Sequence, residues 1–127
     1  MGWKVRAIRG ATTATANTEA AMRDAILELL DTLTLRNHLD PDDIISATFT
    51  ATRDLNAAFP AAIARERAQW QNVPLLDVQH MHVAGSLERC IRVLVQVNTI
   101  APQNAIAHIY LRGASDLRPE WSLVPPR

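Results

Sequence analysis

The sequence lacks the features that disulfide pairing or binding to polyanions usually requires. The 127-residue chain has one cysteine, and its 13 Lys and Arg are balanced by 13 Asp and Glu. One cysteine cannot form an intrachain disulfide, so nothing here requires an oxidising compartment. Proteins that bind nucleic acid or membrane surfaces usually carry a basic excess, and its absence argues against both partners. Any anion site must therefore be built locally from a few arginines.

Long apolar segments are also missing. The longest nearly uncharged run, residues 90–108, contains Arg92 and several amides and is too polar to span a bilayer. Residues 1–6 lack the apolar segment of a secretory signal, so we expect a cytoplasmic protein. What the chain does have is 48% hydrophobic residues, enough for one core, and residues 1–127 are expected to form a single domain.

Motifs for cofactors and covalent catalysis are absent as well. There is no Gly-rich phosphate loop, dinucleotide fingerprint or Gly-x-Ser-x-Gly elbow. His80 and His82 follow Asp77 closely, but a structural zinc site needs four ligands at recognisable spacing. Nothing around Cys90 identifies a base that would activate its thiol. We therefore predict no metal, no cofactor and no nucleophilic cysteine.

Hydrophobic periodicity predicts one long amphipathic helix after the first strand. Asn17 or Thr18 can cap it, and it continues to about residue 37. The apolar residues that form its stripe are Met22, Ile26, Leu29, Leu30 and Leu33.

Five strands and a second helix complete the predicted elements. The helix covers residues 61–69, with Pro60 in its first turn and Asp54 or Asn56 as its cap. The predicted strands are residues 3–13 with a break at Gly10, 44–52, 73–79, 90–98 and 106–111. An irregular tail follows from Gly113.

The fourth strand has the clearest alternation in the chain. Its odd positions, from Ile91 to Val97, are apolar, while Arg92 lies on the opposite face. Two helices for five strands favour an α+β fold with a mixed sheet packed against two helices on one face. The other face has too few helices to cover it, so we expect oligomerisation to bury it.

The remaining residues able to carry chemistry are arginines and one tyrosine. Arg9 ends the regular part of the first strand, Arg92 lies on the fourth, and Tyr110 lies on the last. They can be three unrelated solvent-facing residues. They can also form a pocket in which guanidinium groups bind carboxylates bidentately and the phenol adds a donor. Sequence spacing alone does not decide between these interpretations.

Six segments, taken together, have a specific pattern. They read RAIRGATT (6–13), ATRDLNAAFPA (51–61), WQNVP (70–74), GSLERCIRV (85–93), HIYL (108–111) and LRP (117–119). In this order and spacing they resemble the AroH-class chorismate mutases, which are monofunctional and trimeric. The resemblance extends from residue 6 to about residue 123, essentially the whole chain.

The resemblance implies a cofactor-free isomerase that converts chorismate to prephenate on the route to phenylalanine and tyrosine. It also implies a homotrimer that forms a pseudo-α/β barrel with sites in the clefts between subunits. The uncovered sheet face would then be buried at the centre of the trimer.

The same resemblance implies roles for individual residues. Arg92 would donate to the ether oxygen of the substrate, and Arg9 and Tyr110 would hold a carboxylate. The remaining residues expected near the substrate are Phe59, Leu76 and Leu117 in the wall and Arg65 at the mouth.

Two departures from the family pattern concern the site itself. His80 stands where the family often has Glu near the ring hydroxyl, and Asp77 stands where it often has Cys. We hypothesise that Asp77 supplies the lost carboxylate, while His80 forms a hydrogen-bonding wall or orients Asp77. Residues three apart in a regular strand point to opposite faces, so both line one pocket only if the backbone bulges or turns. The alternative is an ordinary polar Asp77 and a solvent-facing His80. Elsewhere, Ala62 replaces a Lys that some relatives carry near the entrance.

A second function class stays open at this point. The chain could be a trimeric small-molecule-binding protein, or one similar to the reactive-imine deaminases, which resemble this architecture. The joint occurrence of Arg9, Arg92 and Tyr110 favours the mutase. The loss of the usual Glu favours the alternative.

Overall fold

The computed structural model describes residues 2–121, in which a five-stranded mixed sheet packs against two helices. The elements are β1 (Lys4–Thr13), α1 (Glu19–Arg36), β2 (Ile44–Ala51), α2 (Pro60–Ala64), β3 (Leu75–Gln79), β4 (Cys90–Thr99) and β5 (Ile109–Tyr110). The strands lie in the order β3-β2-β4-β1-β5. The predicted α+β class and the order of elements are confirmed.

Strand β4 is the centre of the sheet and sets its register. It pairs antiparallel with β1 and β2, while β3 and β5 pair in parallel with their neighbours. Arg92 of β4 lies between Ala11 of β1 and Thr50 of β2, and Leu94 lies between Arg9 and Thr48. These two rows share one face of the sheet because they are two residues apart on each strand.

Helix α1 covers the opposite face. The hydroxyl of Thr18 accepts the Ala21 N–H at 3.1 Å, which confirms one of the two predicted caps, and the helix ends at Arg36. Its predicted apolar stripe is almost fully buried and shares one core with four residues of β4. Those four residues are Ile91, Val93, Val95 and Val97.

The predicted break at Gly10 is wrong, because β1 continues through this residue to Thr13. A Cβ at position 10 would lie 3.0 Å from Cγ1 of Val93 and 3.2 Å from Cδ1 of Leu29. A side chain here would crowd both groups, so glycine favours the close approach of α1 to the sheet and does not mark a turn.

The second helix and the last strand are shorter than predicted. Helix α2 ends at Ala64, and a 3₁₀ turn then carries the chain to the buried Trp70. Strand β5 has two residues instead of six. The Asn37 side chain donates to the Ala107 carbonyl at 2.9 Å and accepts its N–H at 2.8 Å, which uses the backbone groups that a longer strand would pair.

The sheet face opposite α1 keeps several apolar side chains in solvent. Leu76 is 61% exposed, Val78 44% and Leu94 39%. From Arg112 the chain runs through 3₁₀ turns to Trp121, and the predicted tail at Pro125 and Pro126 lies outside the described residues. Within residues 2–121, no helix combines the length and apolarity needed to cross a membrane.

Candidate active site

A cleft of about 380 Å³ lies on the open face of the sheet, over the central strand. It is lined by Arg9, Thr48, Thr50, His80, Arg92, Val93 and Leu94. The structure therefore brings together three residues singled out from the sequence: both arginines and His80. The two threonines were missed, although their spacing of two along β2 is the signal of residues that share a face.

Arg92 lies on the central strand of the sheet. It is half-buried on a strand that is paired along both edges. Its Nε is buried and has no hydrogen-bond partner among residues 2–121, and none of the ion pairs within that range involves Arg92. Leaving a buried donor without an acceptor costs about 1–3 kcal/mol, so a ligand oxygen at this place would remove a penalty built into the fold.

His80 lies at the edge of the cleft, immediately after β3. Its N–H donates to the Ala51 carbonyl at 3.0 Å, and its Nδ1 lies 3.2 Å from the hydroxyl of Thr50. Burial and the positive charge of Arg92 both lower the pKa of His80 below its ordinary value. The imidazole is therefore neutral at pH 7, and the arginines supply the positive charge of the cleft.

Tyr110 lies one strand beyond the cleft. It pairs with Ala11, which itself pairs with Arg92, so all three lie in one row across the sheet. The Tyr110 side chain is buried and packs against Trp121, with ring centroids 5.6 Å apart.

The contacts that support Arg9 could not be predicted from local sequence patterns. The backbone N–H of Arg9 donates to Nδ1 of His108 at 2.9 Å, and the His108 ring packs against Trp121 with centroids 4.0 Å apart. Arg118 lies 3.5 Å above the Trp121 ring. The C-terminal segment thus holds the edge of the sheet that carries Arg9 and Tyr110.

Asp77 and His80 do not share a cleft within one chain. Strand β3 pairs with β2 in continuous register from Leu75 to Gln79, with no bulge, so the side chain of Asp77 lies on the helix face. Its Oδ1 accepts the N–H of Ala61 at 2.9 Å and caps α2. The predicted caps of this helix, Asp54 and Asn56, are therefore wrong. The backbone turn that would have placed both residues in one pocket of a single chain is absent from β3.

Asp77 instead lines a second cleft of about 400 Å³ together with Phe59, which is 72% exposed. Arg65 follows α2 directly and is exposed. Leu76 lies on the open face in the row of Thr48, and Leu117 is 37% exposed in the C-terminal segment. The residues expected near a substrate are thus divided between two parts of the chain.

The capping role of Asp77 predicts a difference between two substitutions. Asp77→Ala removes the acceptor for the Ala61 N–H and should lower the free energy of unfolding by about 1 kcal/mol. Asp77→Asn keeps an acceptor oxygen and should lower it by a few tenths of that value. Urea denaturation followed by circular dichroism measures both, and equal losses would contradict a cap at this position.

Cys90 is not suited to covalent catalysis. Burial raises the pKa of its thiol, and the nearby Arg92 offsets this only in part. Within residues 2–121, no three His, Cys, Asp or Glu side chains are grouped so that they could hold a metal ion.

The fold and the cleft together define a class of protein: an α+β sheet protein whose open face carries a cleft lined by two arginines. Comparison with known proteins makes this specific. The pattern of the family described as "Chorismate mutase type I" matches residues 5–121. The chain belongs to this family of isomerases.

Individual relatives agree with this assignment. Chorismate mutase AroH of Bacillus subtilis is 43% identical over 119 residues, which is 94% of each chain. Chorismate mutase AroH of Thermus thermophilus is 43% identical over 117 residues, 91% of this chain and 95% of the relative. The structure of a chorismate mutase from Clostridium thermocellum covers 87% of this chain and 97% of its own, with 45% identity and a TM-score of 0.83. These matches do not support the alternative of a deaminase-like or non-catalytic binding protein.

Proposed function

We propose that this chain forms a single cytoplasmic domain that rearranges chorismate to prephenate in the biosynthesis of phenylalanine and tyrosine. The observation that carries the proposal is Nε of Arg92, which is buried on the central strand of a cationic cleft and has no hydrogen-bond partner within residues 2–121. The family assignment supplies the reaction, and the residues of the cleft indicate how it is accelerated.

The reaction suits a site of this kind. It is a unimolecular [3,3] rearrangement in which a C–O bond breaks while a C–C bond forms, without a nucleophile or a proton transfer. An enzyme accelerates it by holding the compact substrate conformer and by stabilising charge that separates between the ether oxygen and the ring. A cofactor is not required for either effect.

Arg92 donates to the ether oxygen in the proposed mechanism. Negative charge grows on this oxygen as the C–O bond breaks, so the hydrogen bond strengthens in the transition state and raises kcat rather than binding alone. Arg9 and Tyr110 hold a substrate carboxylate. The neutral His80 and the hydroxyl of Thr50 lie close to Arg92 and contact the ring.

Phe59 and Asp77, which line the second cleft, complete the site of a neighbouring copy. The assembly is a homotrimer with the form of a pseudo-α/β barrel. Exposed Phe59, half-buried Asp77 and the exposed apolar side chains of the open face support this arrangement. Oδ1 of Asp77 is engaged by Ala61, which leaves Oδ2 as the acceptor for the ring hydroxyl. Arg65, Leu76 and Leu117 line the remaining approaches.

Two measurements test this proposal together. Purified protein should consume chorismate, as followed by ultraviolet absorbance, and sediment with three times the chain mass of 14.1 kDa. Because the site is shared, activity per chain should fall when dilution dissociates the trimer. No turnover of chorismate would overturn the function, and full activity of a monomer would overturn the shared site.

The neutral state of His80 predicts an acid limit to turnover. Its pKa is lowered by burial and by Arg92, so kcat should be constant above about pH 6.5 and fall only at lower pH, where a second positive charge opposes the charge developing on the ring. His80→Gln should remove this decline while keeping a hydrogen-bonding side chain. A decline that persists unchanged in His80→Gln would assign it to another group.

Stability must be monitored in the same experiment. The pKa of His108 is also lowered, first by burial and then by Arg9 and Arg118. Below about pH 6.5 the unfolded chain therefore binds more protons at both histidines than the folded chain does, and stability falls. Circular dichroism at each pH separates this loss from the change in kcat.

A further inference from the structure

We propose that Asp54 is a positioning residue that fixes the beginning of β4 and thereby the guanidinium of Arg92. The inference rests on the proposed role of Arg92 at the ether oxygen. Asp54 does not line the cleft that holds Arg92, so it acts through Arg92 and not on the substrate.

The backbone needs support at this place because Arg89, the residue before β4, has a left-handed conformation with φ of 47°. This region is disfavoured for a side chain other than glycine, asparagine or aspartate, and it persists only where the surroundings hold it. Only Cys90 and Ile91 lie between Arg89 and Arg92. A shift of the backbone at Arg89 therefore also displaces Arg92.

The carboxylate of Asp54 provides this support through three contacts. Its Oδ2 and Oδ1 accept the N–H of Arg89 at 2.9 and 3.2 Å. Its Oδ1 also accepts the hydroxyl of Thr52 at 2.5 Å, and this hydroxyl oxygen in turn accepts the N–H of Cys90 at 3.0 Å. Asp54 thus binds the N–H of Arg89 directly and holds the Thr52 hydroxyl that binds the N–H of Cys90.

A second set of contacts joins Arg89 to Ala14, the residue that follows β1. The N–H of Ala14 donates to the Arg89 carbonyl at 2.9 Å, and Nε of Arg89 donates to the Ala14 carbonyl at 3.1 Å. Arg89 is therefore held from the ends of both strands that flank Arg92.

Asp54 is ionised when it does this. Burial raises the pKa of its carboxyl, but the hydrogen bonds from Thr52 and from the backbone of Arg89 outweigh burial, and the pKa is lowered overall. A charged acceptor makes shorter and stronger hydrogen bonds than a neutral one, which suits a group that must hold a disfavoured backbone conformation.

The test begins with Asp54→Asn, which keeps the shape and removes the charge. Displacement of a catalytic group by a fraction of an ångström to 1 Å is expected to lower kcat by about 10–100-fold, with little change in KM. Asp24→Asn, at an exposed position on α1, is the matched control and should leave kcat unchanged. Thr52→Val should lower kcat, and Thr52→Ser should restore it, because serine keeps the hydroxyl that links Asp54 to Cys90.

A double-mutant cycle separates positioning from general stability. The loss of kcat caused by Asp54→Asn should disappear in an Arg92→Ala background, because that background has no guanidinium to be displaced. Unchanged kcat in folded Asp54→Asn, or an equal loss in both backgrounds, would overturn the inference. Wild-type turnover by Arg92→Ala alone would instead contradict the proposed function, and the two failures are therefore distinguishable.

Discussion

Arg92→Ala is expected to lower kcat for chorismate by about 10²–10³-fold, the usual cost of losing one preorganised donor at developing charge. The effect belongs in kcat because the ether oxygen gains its charge only in the transition state. KM should change less, since Arg9 still contributes positive charge to the cleft. Absorbance of chorismate at saturating concentration measures the loss directly.

A lysine variant and a control variant show whether catalysis needs the planar guanidinium of Arg92 or only its positive charge. Arg92→Lys keeps a cation but not the planar donor geometry, so it should recover only part of the lost rate. Arg36→Ala, at an exposed position in the last turn of α1, is the control and should have wild-type kcat. A fully active Arg92→Ala protein would exclude the proposed mechanism.

Arg9→Ala should raise KM by roughly tenfold to a hundredfold, because a hydrogen bond to a charged group contributes about 1.5–3 kcal/mol. The side chain binds a carboxylate that is charged in both substrate and transition state, so its loss weakens binding more than it slows chemistry. The contact of its backbone N–H with His108 is retained in the variant. Initial rates over a range of chorismate concentrations separate the two parameters.

Arg6→Ala on the same strand is the matched control. Its Nε donates to the carbonyl of Ala101 at 3.3 Å, and Arg6 does not line the cleft. Its loss should leave KM unchanged. An equal rise of KM in both variants, or a loss of kcat alone in Arg9→Ala, would contradict the carboxylate-binding role.

Local sequence patterns predicted the parts of this fold that depend on local physics. The alternation in β4 identified the buried valines and the polar position of Arg92 because neighbouring side chains of a strand face opposite ways. The apolar stripe and the Thr18 cap identified α1 for the same kind of reason. Sequence spacing left open whether Arg9 and Arg92 share a pocket, and it is the register of β1 and β4 that brings them into one cleft.

Contacts between segments that are distant in the sequence explain why several predictions of secondary structure and helix caps were wrong. Gly10 makes room for the side chain of Leu29, which approaches the sheet, and β5 is short because Asn37 binds the backbone of Ala107. Asp77 caps a helix by accepting the N–H of Ala61, sixteen residues earlier in the chain. None of these partners is visible from spacing along the sequence, and neither is the support that Asp54 gives to Arg89.

A stable bicyclic analogue of the transition state provides the most direct test of whether Arg92 stabilises the charge that develops during the reaction. Its inhibition constant should be measured by competition for the wild-type chain and for the alanine, lysine and glutamine variants at position 92. If that guanidinium recognises the transition state, the analogue should lose affinity in proportion to the fall in kcat/KM. Equal inhibition of every variant, despite large differences in kcat/KM, would show that the acceleration has another origin.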